Sequence, residues 1–326
     1  MLWTSQGDYY TMNAILYANS ANKNVNRSIT NFASIFCGFY LFFETIFKLL
    51  ATAIYFSVNK NVIWKPIVFG LYTVSAVASV IAYYFHISIL DGTANHRSVP
   101  TWSAVKTDIV AVTAALSTNK KLQLLMPYQI CFGLSAGFVG YYVNSYVVST
   151  YIGDGYIGFL SSLSTFTAVA LAIPYAQLGN QLAHGKYYIM IFGGICFFFA
   201  GFPLLIFSDE TIANWGFIVL YFAIHGAARG AWESTNKAVI SEYFRSAKVR
   251  DVAFASVYFT SGFAGAIGYL AYQYMSRWQS AILNIIVPAI AVISFYWSDR
   301  VNTIEYLSMS TRVNDNDSDE DSNSLQ

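Results

Sequence analysis

The chain has 326 residues and a formal net charge of +1, and 56% of its residues are hydrophobic while only 11% are charged. Soluble domains carry about 25% charged residues, and this chain has a mean hydropathy of +0.46. This balance excludes an ordinary soluble domain and gives no reason to expect nucleic acid as a partner. We therefore predict an all-α polytopic membrane protein that contacts the lipid bilayer.

The apolar residues occur in long blocks, and a spanning helix needs about 20 mostly apolar residues. On this criterion the sequence predicts about eight transmembrane helices, at 31–57, 64–86, 122–148, 156–176, 187–207, 214–232, 253–275 and 279–298. Small residues four apart predict close helix contacts within these spans. The pairs are Gly133 and Gly137, Ser261 and Gly265, and Ala264 and Gly268.

Polar segments divide these blocks into regions. We predict that 1–30 is a cytoplasmic segment without a cleavable signal peptide, and that 31–86 holds two transmembrane helices. A longer polar segment, 87–121, is predicted to be a cytoplasmic central loop ahead of six helices in 122–298. The final segment, 299–326, is acidic and cannot bury an apolar core, so we predict a disordered cytoplasmic tail.

The basic residues predict the orientation of the chain, because cytoplasmic loops carry an excess of Lys and Arg. Counted along the sequence, 14 of the 18 Lys and Arg residues fall in the loops on the side of the N-terminus, three fall on the other side, and Lys48 lies within a span. Both termini are therefore predicted to be cytoplasmic, in either the plasma membrane or an endomembrane. An interfacial aromatic belt is predicted from the tryptophans at span ends, namely Trp64, Trp215, Trp278, Trp232 and Trp297.

Ionisable residues inside a span are costly and are therefore candidates for function. Glu44 and Lys48 lie four residues apart in the first predicted span, in the order that favours an ion pair on one helix. One interpretation is a neutralised structural pair that faces the bundle interior. The other is a substrate or proton site.

A second set of polar residues lies where the span 214–232 meets the cytoplasm. We interpret it either as an interfacial locking pair or as a cytoplasmic gate, formed by Arg229, Glu233, Asn236 and Lys237. His225 lies one turn deeper, and Asn144 lies among tyrosines in the span 122–148. For both residues, one interpretation is a hydrogen bond to a neighbouring helix. The other interpretation is a proton carrier for His225 and a binding site for a polar ligand for Asn144.

The sequence contains no nucleotide-binding, metal-binding or nucleophile motif. Cys37, Cys131 and Cys196 all lie inside apolar blocks and are read as small packing residues. We therefore expect a protein that is not an enzyme and that needs no cofactor or metal.

The first residues carry the most specific resemblance. The stretch from Leu2 to Thr11 resembles the Leu-Trp-x-x-Gln-Gly-x-Tyr-x-Thr signature of the Unc-ninety-three-like ion-channel-regulator branch of the major facilitator superfamily. The matching residues are Trp3, Gln6, Gly7, Tyr9 and Thr11. Later stretches resemble the fifth, seventh, tenth and twelfth spans of that family, at 31–36, 119–127, 226–237 and 277–279.

The resemblance implies a partial major-facilitator fold. The signature marks the end of the fourth span in that family, so the chain is expected to hold the last two helices of the first half and a complete second half of six helices. The facilitator loop between spans eight and nine is degraded, which argues against energised transport. Its remaining positions are Gly179, His184, Gly185 and Lys186.

Three functions are compatible with these features. The first, implied by the resemblance, is a non-enzymatic regulator or accessory subunit of a channel or receptor, including a potassium channel. The second is a facilitator-type transporter of a small solute, either with four further spans or as a homodimer, since such folds bind substrate between two helical halves. The third is a truncated half-protein without a function of its own.

Overall fold

The computed structural model describes residues 2–58, 63–86 and 102–323, and regular structure within these ranges is helical throughout. Of the predicted central loop, 87–101 lies outside the described residues, as does the side chain of Trp3. The helices are α1 (Leu2–Ser20), α2 (Val25–Ser57), α3 (Trp64–His86), α4 (Trp102–Thr118), α5 (Lys120–Tyr151), α6 (Tyr156–Gln181), α7 (Gly185–Phe198), α8 (215–243), α9 (Ala247–Ala271) and α10 (Arg277–Asn323). Two short helices, Pro203–Ile206 and Asp209–Ile212, connect α7 to α8.

Side chains just before the helices fix where several of them begin. The Asn24 side chain accepts a hydrogen bond from the backbone nitrogen of Arg27 at the start of α2, and Asn119 does the same for Leu122 in α5. At α10, Ser276 and Gln279 exchange side-chain and backbone hydrogen bonds, as in a capping box. Short polar residues in the linkers thus set the first turns of these helices.

Two helices contain π-helical segments in their middle. In α5, Lys120–Phe138 continues through a π-helix over Val139–Val148, and in α8, Trp215–Gly230 continues through a π-helix over Ala231–Asn236. Such segments are rare and are often found at functional sites. The first contains Asn144, and the second contains Glu233 and Asn236.

Seven helices in the described part of the chain are long and apolar enough to cross a membrane. This confirms an all-α polytopic membrane protein. The eighth predicted span, 214–232, is not among the seven. Its α-helical part, Trp215–Gly230, has only 16 residues, and α8 continues as a polar segment with Glu233, Asn236 and Lys237. It nevertheless belongs to the bundle, where it packs against α6 and α7.

At both ends of the chain the structure also differs from what the sequence predicts. The segment 1–30 contains α1, which packs against α2 and α9. At the other end, α10 runs to Asn323, so helix replaces irregular chain over most of the acidic segment 299–326. That segment contains no proline or glycine, and the span that precedes it therefore continues without a helix-breaking residue.

The six helices from α5 to α10 form the main bundle. In it, α5 packs against α9 and α10, α7 packs against α8 and α10, and α6 packs against α8. On the outside of the bundle, α2 lies along α6, and α3 packs against α2. The contact between α2 and α6 positions the candidate site.

Small residues hold α5 against α9, as the sequence predicts. A methyl group added at Gly133 would lie 2.8 Å from the Gly265 backbone nitrogen and 2.9 Å from the Ala264 side chain. A methyl group at Gly137 would lie 2.8 Å from the Tyr269 backbone nitrogen. Close backbone approach is thus confirmed as the role of these small residues.

One predicted aromatic anchor is wrong. Trp232 is only 3% exposed, and its ring stacks on Phe132 with centroids 3.7 Å apart. It is therefore a core residue and not part of an interfacial belt. Trp215, Trp278 and Trp297 are exposed, as a belt requires.

Candidate functional site

Glu44 is the centre of the candidate site. It lies on the face of α2 that packs against α6, and it is reached from α8 by Arg229. The guanidinium donates to both carboxylate oxygens, with Nη1 to Oε1 at 2.8 Å and Nη2 to Oε2 at 2.6 Å. Lys48 contacts the same carboxylate at 2.7 Å, as the four-residue spacing predicts. A bidentate guanidinium–carboxylate pair is among the strongest polar contacts that side chains form.

The second carboxylate extends this contact along α8. Glu233 lies 3.0 Å from Lys237 Nζ and 3.6 Å from Arg229 Nη2. Lys237 is buried and also lies over the ring of Tyr40, 4.8 Å from its centroid. We call the five residues Glu44, Lys48, Arg229, Glu233 and Lys237 the central charge network. With two acids and three bases, it has a formal charge of +1.

Four of the polar residues that the sequence singles out contact the same turn of α6. Lys48 Nζ donates to Thr165 Oγ1 at 2.8 Å, and Arg229 Nη1 donates to it at 3.4 Å. His225 Nδ1 lies 3.0 Å from Ser164 Oγ, and Asn144 Nδ2 donates to Ser161 Oγ at 3.4 Å. His225 and Asn144 thus form the interhelical hydrogen bonds that the simpler interpretation expects.

The sequence analysis does not single out Ser161, Ser164 and Thr165. The signal was present, because Ser161, Ser162, Ser164 and Thr165 form a cluster of hydroxyls within an apolar span. A single Ser or Thr in a membrane helix is unremarkable, since its hydroxyl can bond to its own backbone. Four of them within five residues indicate a polar stripe that faces other helices.

The side chain of Asn236 forms its hydrogen bonds with Gln129 and not with the central charge network. It forms a separate, buried amide cluster with Gln129 of α5 and Trp232. Gln129 Oε1 accepts from Trp232 Nε1 at 2.8 Å and from Asn236 Nδ2 at 3.1 Å, while Gln129 Nε2 donates to Asn236 Oδ1 at 3.2 Å. These bonds connect α5 to the π-helix of α8.

Replacing Gln129 by Leu is expected to destabilise the protein by about 2 kcal/mol, because Trp232 Nε1 and Asn236 Nδ2 then lose a buried acceptor. Thermal denaturation of the detergent-solubilised protein, followed by circular dichroism, measures the effect. Gln123→Leu, on an exposed position of the same helix, is the control and should change stability by less than about 0.5 kcal/mol. Equal stability of the two variants would contradict the assigned role of Gln129.

Two residues of the amino-terminal signature, Gly7 and Thr11, have packing roles. Gly7 is buried, and a methyl group there would lie 2.8 Å from the ring of Phe254 in α9. The Thr11 hydroxyl lies 2.9 Å from the Ser241 hydroxyl. Gln6 is half-buried and Tyr9 is exposed. Gly7 and Thr11 therefore attach α1 to α8 and α9.

The four residues of the predicted facilitator loop lie at the end of α6, in the tight turn that follows it and at the start of α7. His184 has a left-handed backbone with φ of 61°, and a methyl group at Gly185 would lie 2.9 Å from the Gly179 Cα atom. Lys186 forms an ion pair with Glu242, at the end of α8. Burial raises the pKa of the Glu242 carboxyl, and the neighbouring Lys186 opposes that shift.

A comparison with known proteins finds a distant similarity in sequence. No protein-family model matches this chain. Human protein unc-93 homolog A is 24% identical over 206 residues, which cover 61% of this chain. The chain spans 43% of the length of that relative. Together with the multi-span helical architecture, this similarity supports a distant relationship to Unc-93-like membrane proteins.

Proposed function

We propose that this protein is a non-enzymatic membrane regulator that packs laterally against a channel or receptor. The observation that carries the proposal is the exposure of α3. Around this helix Phe69, Val74, Val77 and Val80 are all exposed. Within the described residues, its contacts with α2 include two edge-to-face ring pairs and a long hydrogen bond, from the Tyr72 hydroxyl to the Phe47 carbonyl oxygen at 3.4 Å. A loosely attached apolar helix offers a side surface to another membrane protein.

The face of α2 next to it supports the same function. Phe39, Phe42, Phe43 and Ile46 are exposed there, and a methyl group added at Gly38 would meet no atom within 4 Å. In membranes, helices associate by close packing at small residues rather than by a hydrophobic driving force. The notch at Gly38, flanked by Phe rings, has the features of such a contact. The resemblance to ion-channel regulators makes a potassium channel the first partner to test.

The test is an electrical recording from cells that express a potassium channel with or without this protein. Co-expression is expected to change the potassium conductance, and Val74→Trp on α3 is expected to abolish that change because the added bulk blocks lateral packing. Ile293→Trp, at an exposed position of α10, is the control and should act like the unmodified protein. Both variants should reach the membrane in equal amounts.

Solute transport is the second candidate, and the central charge network favours it. A charged site between α2 and the main bundle fits the arrangement in which transporters bind substrate between two helical units. The purified protein in lipid vesicles distinguishes the two functions. Uptake of a solute by the protein alone would contradict a purely regulatory role, whereas a change in channel conductance without uptake would support it.

A further inference from the structure

A cavity between the segment that follows α7, residues 199–207, and the first half of α8 is not used by either function above. Its volume is about 240 Å³, and a cavity of about 150 Å³ is already large enough for benzene. Its walls are largely aromatic and include Phe199, Phe202, Phe207, Phe217 and Leu220, with His225 as a polar member. Such a composition is typical of a small-molecule site.

The cavity opens on the outside of the helix bundle. Phe199, Phe207 and Leu220 all line it and are also exposed on the surface of the bundle. In a membrane-spanning protein this surface faces lipid. A ligand for this cavity can therefore enter from the membrane, and its apolar part can remain in contact with lipid.

His225 provides the polar end of the site. Its side chain lines the cavity and is 8% exposed. Nδ1 is engaged with Ser164, but Nε2 is buried without a hydrogen-bond partner. The other polar side chain on the wall is Tyr221, whose hydroxyl already donates to the Ala200 carbonyl oxygen at 2.9 Å. An unsatisfied polar atom at this depth is costly, and a ligand that bonds to it removes that cost.

The charges nearby indicate which polar group the ligand carries. Arg229 lies four residues after His225, on the same face of α8, and it belongs to a central charge network with a formal charge of +1. When the Ser164 hydroxyl donates to Nδ1, the Nε2 nitrogen carries the proton and becomes a donor. Both the donor and the excess positive charge favour an acceptor with negative charge, because charges interact strongly in a low dielectric.

We propose that this cavity binds a single-chain amphiphile that carries one carboxylate, with the carboxylate at His225 and the hydrocarbon chain among the Phe rings. A free fatty acid has this chemistry. The site is independent of the regulatory and transport functions proposed above, since neither the exposed face of α3 nor the contact between Glu44 and Arg229 contributes to its walls.

Photolabelling of the full chain in detergent tests the proposal. The probe is a medium-chain fatty acid with a diazirine near its methyl end, and labelled peptides are located by mass spectrometry. We expect saturable labelling within 199–207 and 217–225. Unlabelled fatty acid should compete about tenfold better than the alcohol of equal chain length, as expected for a hydrogen bond to a charged group. Labelling spread over many helices without saturation would overturn the proposal.

Variants at the mouth and at the polar end separate the two parts of the site. Leu220→Trp fills the mouth and is expected to reduce labelling about tenfold, while Val219→Trp, one position away and outside the cavity lining, should leave it unchanged. His225→Phe should remove the preference for the acid over the alcohol. Equal labelling of both tryptophan variants would overturn the cavity as the site, and equal competition by the acid and by the alcohol of equal chain length would overturn the placement of a carboxylate at His225.

Discussion

Replacing Glu44 by Gln is expected to destabilise the protein by about 3 kcal/mol, because the half-buried carboxylate accepts a bidentate contact from Arg229 and hydrogen bonds to charged groups contribute up to about 3 kcal/mol. The Glu44 carboxylate binds both Arg229 and Lys48, so its loss leaves two cations without their shared partner. The formal charge of the central charge network then rises from +1 to +2. Excess charge within the membrane is unfavourable, and this adds to the loss of the contacts.

Removing a cation from the same network should have a smaller effect. Lys48→Met lowers the formal charge to zero and leaves two complete pairs, Glu44 with Arg229 and Glu233 with Lys237. Its cost is expected to be below about 1 kcal/mol, the range of a partly exposed ion pair; the Lys48 side chain is 26% exposed. Arg229→Gln also leaves two pairs, but it loses the bidentate contact and should lie between the other two variants.

Stability of the detergent-solubilised protein against denaturant measures this order. The combination of Glu44→Gln with Lys48→Met returns the formal charge to +1, and it should be more stable than Glu44→Gln alone. Such a double-mutant cycle isolates the energy of the pair. If Lys48→Met destabilises the protein as much as Glu44→Gln does, the charge balance of the network is not what determines its stability.

The same variants also report on function. If the protein acts by lateral packing through α3, Lys48→Met should regulate a channel as well as the unmodified protein does, because it leaves the exposed face unchanged. If the network is a transport site, Lys48→Met should abolish uptake at nearly unchanged stability. Uptake that survives both Lys48→Met and Glu44→Gln would assign these two residues a structural role.

The sequence predicts the local features of the fold well, because hydropathy and helical periodicity act over short distances. Span positions follow from runs of apolar residues, and the pair of Glu44 with Lys48 follows from a spacing of one helical turn. The small residues four apart mark closely packed faces on α5 and on α9, and only the structure shows that these two faces meet. Each of these features depends on residues within a few turns of one helix.

Contacts between distant parts of the chain could not be predicted in this way. Glu44 and Arg229 are 185 residues apart, and the sequence assigns each of them only to a partner on its own helix. The hydroxyl residues of α6 become a common contact only when three other helices, α2, α5 and α8, are placed around them. The π-helices depend on hydrogen bonds to residue i+5 that side-chain patterns do not specify. Trp232 was misassigned because position along a span does not show which face is buried.

Replacing Gly133 by Ala is expected to destabilise the protein by about 3 kcal/mol, at the upper end of the range for added atoms in a tightly packed interior. The new methyl group would meet the Ser261 carbonyl oxygen, the Gly265 backbone nitrogen and the Ala264 side chain. Two of these are backbone atoms, which cannot move aside by changing a rotamer. The helices α5 and α9 must therefore separate, and the contacts along their whole interface weaken.

Gly262 on α9 provides a matched control, because a methyl group at that glycine would meet nothing within 4 Å. Gly262→Ala should be neutral or stabilising by up to about 1 kcal/mol, since Ala favours the helix over Gly. Thermal denaturation in detergent, with both variants measured in parallel, compares the two positions. If Gly133→Ala lowers the stability and Gly262→Ala does not, the lost stability comes from the α5–α9 contact and not from the replacement of a glycine as such. Equal, small effects would mean that α5 and α9 do not approach closely at Gly133.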